Sequence, residues 1–253
     1  MNEVTFDFTG KNFVVVGASS GMGRQTAIEL AAAGAHVLAI ARNEERLSAV
    51  QDMYPHLIET AQIDVTAVSD EQWADAVGMF VKRHGKIHGA VYTAGTTGTT
   101  SLRFHDGADA KNIMETGFWG AMKSLEVTTK KKYSHEGASY VVFSSVAAYR
   151  GGRGMLVYSG TKAAVQAAVH SVAREISERG QRINSISPGW VETEMTNNYL
   201  EHMGQFAQGV SNGCLGKGKP QDVTGMVLFL LSDRAQWITG VDFIVDGGFM
   251  FGT

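Results

Sequence analysis

Three residues have the types and spacing for proton chemistry at an oxygen: Ser145, Tyr158 and Lys162. Tyr158 and Lys162 stand four apart, so on a helix they share a face. A tyrosine titrates at about 10 and needs a shift of roughly three units, about 4 kcal/mol, to act as acid or base near neutrality. An adjacent ammonium favours the tyrosinate and supplies much of that shift. A serine hydroxyl beside them would hold a substrate oxygen and stabilise charge developing on it. A Tyr-x-x-x-Lys pair with Ser thirteen residues upstream arises by chance roughly 0.02 times in a chain of this composition.

A second constellation lies near the start. Phe13-Val14-Val15-Val16 runs into Gly17-Ala18-Ser19-Ser20-Gly21-Met22-Gly23. Glycines let the backbone turn sharply and approach a pyrophosphate, and a following helix N-terminus offers free N–H donors and a positive dipole end. After a first strand, this pattern predicts a dinucleotide site. The next strand ends at Ala41 and is followed by Arg42. An acid that would hold a ribose 2′-hydroxyl is missing there, and a guanidinium suits a 2′-phosphate, so the expected cofactor is NADP(H).

The elements needed to position these groups follow from apolar patterning. Predicted strands are Phe13–Val16, His36–Ala41, Leu57–Ile63, Ile87–Tyr92, Ser139–Phe143, Arg182–Ser187 and Val241–Val245. Predicted helices lie between them, at Gly23–Ala33, Glu44–Met53, Ser69–His84, Ala108–Lys132, Val157–Glu178 and Pro220–Leu231, with Gly34 and Gly180 as stops. Continuous apolar strands alternating with helices imply a doubly wound α/β fold, a seven-stranded, mostly parallel sheet with helices on both faces. No compositional break appears, so residues 1–253 read as a single domain. The weakly periodic stretch 193–219 follows the sixth strand and is the expected substrate lid. Within it, Met195, Tyr199, Met203 and Phe206 would form an apolar lid face or pack a short helix.

Composition excludes several classes. With 22 Lys+Arg against 25 Asp+Glu, the formal charge of −3 provides no one-signed field for nucleic acid or a membrane surface. The single Cys214 rules out an internal disulfide framework. The longest apolar run, Met226–Leu231, is too short to span a bilayer, and no signal-like stretch follows Met1, so a soluble cytoplasmic protein is expected. The chain has 30 Gly against 3 Pro, pointing to many tight turns and uninterrupted regular elements. His84 and His88 have ligand-like spacing, but Gly85 separates a helix from a strand there, so no metal site is expected.

Together these residues resemble the short-chain dehydrogenase/reductase family over essentially the full length. The matching motifs are Gly17–Gly23, Asp64-Val65, Ala94-Gly95, Ser145, Tyr158-x-x-x-Lys162, Pro188-Gly189 with Val191 and Thr193, and Thr239-Gly240 with Asp246-Gly247-Gly248. The resemblance implies a Rossmann fold and NADP(H)-dependent oxidoreduction of a small-molecule carbonyl or alcohol. Asp64 and Val65 would meet adenine. Ala94 and Gly95 would line the adenine-ribose side, and Pro188, Gly189, Val191 and Thr193 the nicotinamide end. Tyr158 would donate a proton to the carbonyl oxygen, Lys162 would bind the nicotinamide ribose and lower the Tyr158 pKa, and Ser145 would orient the carbonyl.

The sequence is most similar to the 3-oxoacyl carrier-protein reductase branch. That branch implies an acyl carrier protein docking near Lys130-Lys131-Lys132 and Arg174, although a solvated helix end also accounts for the three lysines. The alternatives are a dehydrogenase of a sugar, polyol or steroid alcohol, and a non-catalytic dinucleotide-binding protein. The resemblance further implies a homodimer or homotetramer through the two long helices.

Three departures stand out. Val16 replaces a family Thr that ties the first loop to the fourth strand's end. Tyr92-Thr93 replaces a pair of Asn. Gly117 stands where a helical Asn supports the proton relay; glycine keeps the relay's backbone carbonyl but not the side chain.

Overall fold

A computed structural model describes residues 4–98, 100–103, 106–203 and 213–251. Seven strands form one sheet: β1 (Asn12–Val16), β2 (His36–Ala41), β3 (Ile58–Gln62), β4 (Ile87–Tyr92), β5 (Ser134–Phe143), β6 (Arg182–Pro188) and β7 (Asp242–Val245). Their order is β3-β2-β1-β4-β5-β6-β7 and every pairing is parallel. The chain winds outward from β1 to β3, then restarts at β4 on the other side of β1. The crevice beyond the carboxyl ends of β1 and β4 is therefore the topological switch point, where ligands of such sheets bind.

The helices are α1 (Gly21–Ala32), α2 (Glu44–Gln51), α3 (Asp70–His84), α4 (Gly107–Met114), α5 (Gly120–Thr128), α6 (Ala147–Arg150), α7 (Leu156–Ile176), α8 (Glu194–Met203) and α9 (Pro220–Leu231). Alternate strand residues face opposite sides. Phe13, Val15, Val37 and Ala39 pack with Leu30 of α1 and Val227 of α9. Val14, Val16, Leu38 and Ile40 pack with Trp73 and Phe80 of α3, Leu125 of α5 and Val169 of α7. Each fully buried large apolar side chain contributes about 1.5–3 kcal/mol to holding these layers. Both faces of the sheet are thus covered, as the unbroken apolar strands require.

Local chemistry sets several boundaries. Ser69 and Gln72 form a reciprocal capping box at the start of α3. Asn43 accepts from the Arg46 N–H and starts α2. Gly34 and Gly180 follow α1 and α7 with φ of +88° and +63°.

Two predicted boundaries need correction. β5 begins at Ser134 rather than Ser139, because Ser134–Gly137 is held by contacts that carry no apolar signal. Gln181 Nε2 donates to Ser134 Oγ at 2.8 Å, and Arg179 Nη2 donates to the Ser134 carbonyl at 2.9 Å. The expected continuous helix Ala108–Lys132 is three pieces: α4, a π-helical turn at Glu115–Trp119, and α5. Lys130–Lys132 lie beyond the end of α5, in the turn before β5.

Candidate active site

The Gly17–Gly23 loop leaves β1 and enters α1 at the switch point. At the α1 N-terminus the Ser20 side chain makes no capping bond and no acid occupies the first turn. The helix donors are left for another acceptor, as an anion site requires. The packing explains the glycines. A Cβ on Gly17, whose φ is +88°, would lie 2.6 Å from the Ala94 nitrogen and from Thr93 Oγ1. A Cβ on Gly23 would overlap the Gly17 carbonyl and the same hydroxyl.

Thr93 is thus central, and it corrects the expectation that Val16 leaves the two segments untied. Thr93 Oγ1 donates to the Val16 carbonyl at 2.9 Å, and Thr93 N–H donates to the same oxygen at 2.9 Å. The tie runs from β4 to β1. A hydroxyl on either side of the gap closes it, and a motif read one strand at a time misses that exchange.

A groove of about 1280 Å³ follows this loop. Gly17, Ser19, Ser20, Gly21, Met22, Gly23, Arg42, Asp64, Val65, Ala94, Gly95 and Thr193 all line it. Asp64 accepts from the N–H and hydroxyl of Thr66 at 2.9 and 2.7 Å. These bonds, helped by the nearby Arg42 guanidinium, hold its carboxyl below the usual range. Arg46, a second cation the sequence reading missed, lines the groove beside Arg42 and pairs with Glu194 of α8 at 2.5 Å. It lies one helical turn beyond Arg42 and carries no motif, so sequence spacing gave only a weak signal.

The groove meets a second cavity, with Met195 lining both. Ser145, after β5, Tyr158, in the first turn of α7, and Gly189, after β6, line this cavity together. Its walls come from Val146, Met155, Trp190, Tyr199 and Phe249, and Arg150 reaches it from the end of α6. Of the proposed lid face, Met195 and Tyr199 therefore border the cavity. The Met203 side chain and all of 204–212, Phe206 included, fall outside the described residues.

Among the expected nicotinamide-end residues, Pro188 and Val191 are buried supports. Pro188 closes β6 opposite Val245, and its carbonyl accepts from the Val146 N–H at 3.2 Å. Val191 bridges to Gly218, near the end of the stretch 193–219.

Lys162 is 5% exposed, and its Nζ donates to the Phe143 carbonyl at 2.8 Å. It lies under Gly95, where a Cβ would stand 3.7 Å away, and 5.7 Å from the Tyr158 ring centroid. Burial pushes the Lys162 pKa down to about 8. Burial also raises Tyr158, opposed by a hydrogen bond with Ser145. The expected depression of Tyr158 by Lys162 is therefore not built into the protein alone: without anionic or hydroxyl partners, the buried ammonium is itself destabilised.

The π-turn sits against the first turn of α7. Gly120 N–H donates to the Glu115 carbonyl, the i to i−5 pattern of a π-helix. Tyr92, in place of a family Asn, donates its hydroxyl to the Thr116 carbonyl at 2.6 Å and fixes the distortion from β4. Burial raises the Tyr92 pKa, so this hydroxyl stays a donor. A Cβ on Gly117 would meet Thr161 Cγ2 at 2.7 Å. Gly117 is thus required by its neighbour: the Thr161 methyl fills the space an Asn side chain would need, while the distortion persists without that Asn.

The remaining histidines diverge. His84 Nε2 meets Glu59 at 2.5 Å, whereas His88 Nδ1 accepts the Asn12 N–H at 3.0 Å. No group of three metal-ligating side chains occurs among the described residues. No helix among them is long and apolar enough to cross a membrane.

Comparison with known proteins agrees with this geometry. The sequence profile of the enoyl-(acyl carrier protein) reductase family matches residues 17–250. A 3-oxoacyl-acyl-carrier-protein reductase of Thermotoga maritima is 29% identical over 243 residues, covering 94% of this chain and 97% of that protein. A 3-alpha-(or 20-beta)-hydroxysteroid dehydrogenase of Mycobacterium tuberculosis is 29% identical over 243 residues, covering 96% and 90%. The crystal structure of a short-chain glucose/ribitol dehydrogenase from Brucella melitensis superposes with a TM-score of 0.88 at 27% identity, covering 98% of this chain and 100% of that one. The chain belongs to the short-chain dehydrogenase/reductase family, near its 3-oxoacyl carrier-protein reductase branch. It is accordingly an oxidoreductase of CH–OH and C=O groups, a class that works with a nicotinamide dinucleotide.

Proposed function

We propose that the protein reduces an apolar ketone to a secondary alcohol with NADPH. The observation that carries this is that Ser145 and Tyr158 together line a largely apolar cavity beside the glycine groove. The groove fits the cofactor: Gly17 and Gly23 leave no room for a Cβ, and the Ser20 side chain leaves the α1 donors uncapped. Gly17, Ser19, Ser20, Gly21, Met22 and Gly23 would cradle the pyrophosphate, and Asp64, Val65, Ala94 and Gly95 the adenosine. Thr193 and Gly189 would border the nicotinamide, with Pro188 and Val191 behind them. Arg42, at the end of β2 where no acid stands, favours the 2′-phosphate.

The bound cofactor supplies the hydride. The Tyr158 hydroxyl, kept protonated by burial, donates its proton to the oxygen that gains charge, and the Ser145 hydroxyl donates a hydrogen bond to that oxygen. Ribose hydroxyls would stabilise the charged form of Lys162, which draws the Tyr158 pKa toward neutrality. The carbonyl of Gly117 is the proposed stop for the water that resupplies the proton.

The apolar walls favour an acyl chain or a ring ketone over a polyol. In the carrier-protein reading, docking would rest mainly on Lys131 and Arg174, because Lys130 pairs with Glu126 and Lys132 lies over the Tyr133 ring. Trp119, 55% exposed on the π-turn, and Leu156 at the start of α7 support a homodimer or tetramer through these helices, in the cytoplasm.

The direct test is NADPH oxidation against a ketone panel with Tyr158→Phe beside the wild type. Turnover should fall roughly 10²–10⁴-fold while NADPH still binds. Equal turnover by a folded variant refutes the assigned role.

A further inference from the structure

The substrate cavity carries a single formally charged side chain on its described lining, Arg150. Its neighbours are apolar or aromatic: Val146, Met155, Trp190, Tyr199 and Phe249. No acid is among the described residues that line the cavity. Arg150 is nevertheless held in place. Its guanidinium lies over the Phe249 ring, 5.3 Å from the centroid, and Nη1 donates to the Phe249 carbonyl at 3.2 Å. The segment bearing Phe249 is itself braced by Asp246, which accepts from the Gly248 and Met250 N–H groups. These contacts use one face and one donor of a five-donor fork, and leave the rest without a carboxylate partner among the described residues.

Arg150 is exposed, yet its guanidinium is stacked and oriented on the lining of an apolar cavity that Ser145 and Tyr158 also line. A planar fork fixed in this way matches a carboxylate bidentately. Arg150 ends the four-residue helix α6 and lies five residues after Ser145. At 1.5 Å per residue that is roughly 7 Å.

We infer that the substrate is an oxo-carboxylate: a ketone with a bulky apolar or ring body, whose carboxylate lies away from the reacting carbonyl and is bound by Arg150. The inference rests on the proposed reductase reading and names that site's substrate class. Arg150 is a specificity residue; it does not touch the reacting atoms.

Kinetics of 5-oxo-5-phenylpentanoate and its methyl ester with NADPH provide the test, in wild type, Arg150→Gln and Arg150→Lys. Wild type should prefer the acid by about tenfold or more in kcat/KM, expressed in KM, as a charge-assisted bond predicts. The acid-to-ester ratio should drop to near one in R150Q and be partly kept in R150K. A ratio near one in wild type, or one unchanged in R150Q, overturns the inference. A purely structural role would affect both compounds alike and leave the ratio unchanged. If neither compound is reduced, titrating the NADPH-loaded protein separates the two claims. Acid-selective binding lost in R150Q keeps the Arg150 site and refutes the reductase reading; equal binding of acid and ester refutes the Arg150 site.

Discussion

The groove along β1, β2 and β4 and the cavity beyond β5 and β6 meet at Met195 but are built from different materials. The groove is backbone and glycine, gathered from strand ends that pair directly with one another. Its shape follows from parallel register and from one hydroxyl, Thr93, that ties β4 to β1. The cavity is side chains, brought from α6, α7, the α8 segment and the residues after β7. The first can hold a constant ligand because little in it can move independently. The second can be retuned residue by residue, so in the proposed reading substrate choice resides there.

If that division is right, changes at the groove should alter cofactor affinity and leave substrate preference intact. The largest expected effect after loss of the Tyr158 hydroxyl is at Arg42. Arg42→Ala should weaken NADPH roughly 10- to 100-fold, the scale of hydrogen bonds to a charged group, and NADH only slightly. Fluorescence titration with both cofactors measures it. Equal losses for the two would show that Arg42 does not read the 2′-phosphate.

The border between the regions is tested at Gly117. Gly117→Asn should destabilise the fold by about 1–3 kcal/mol through overlap with the Thr161 methyl. Adding Thr161→Ala should recover most of it, visible as non-additivity in thermal melts. Additive losses would show that Gly117 is needed for its backbone rather than for the space.

The smallest effect concerns pH. Lys162 has its pKa lowered to about 8, so the folded state is penalised while the group is charged. That penalty is fully present below about 8 and is relieved as pH rises toward the unfolded value near 10.4. Cofactor binding needs the charged form, so NADPH affinity should fall several-fold between pH 7.5 and 9.5. Lys162→Met should flatten the profile. A flat wild-type profile would place the ammonium outside the ribose site.

Much of the fold was legible because local rules and global packing agree. Unbroken apolar strands alternating with helices demanded a doubly covered parallel sheet, and the glycine loop after the first strand located the switch point. The Ser145, Tyr158 and Lys162 spacing was legible for the same reason: a helix and an adjacent strand end set their positions. Helix continuity at 108–132 was not, because a π-turn conserves helical periodicity nearly unchanged on either side. Thr93 was also illegible as a tie, since its partner lies 77 residues away.

By itself, the sequence determined the sheet, the glycine loop, the candidate catalytic set and the cation after β2, all of which depend on neighbours along the chain or on periodicity. Only the tertiary structure decided that Thr93 replaces the missing tie, that Thr161 excludes a side chain at Gly117, and that Arg150 is stacked on the lining of an apolar cavity. Each of those depends on atoms from distant segments competing for the same few ångströms, and close packing, unlike periodicity, leaves no repeat in the sequence.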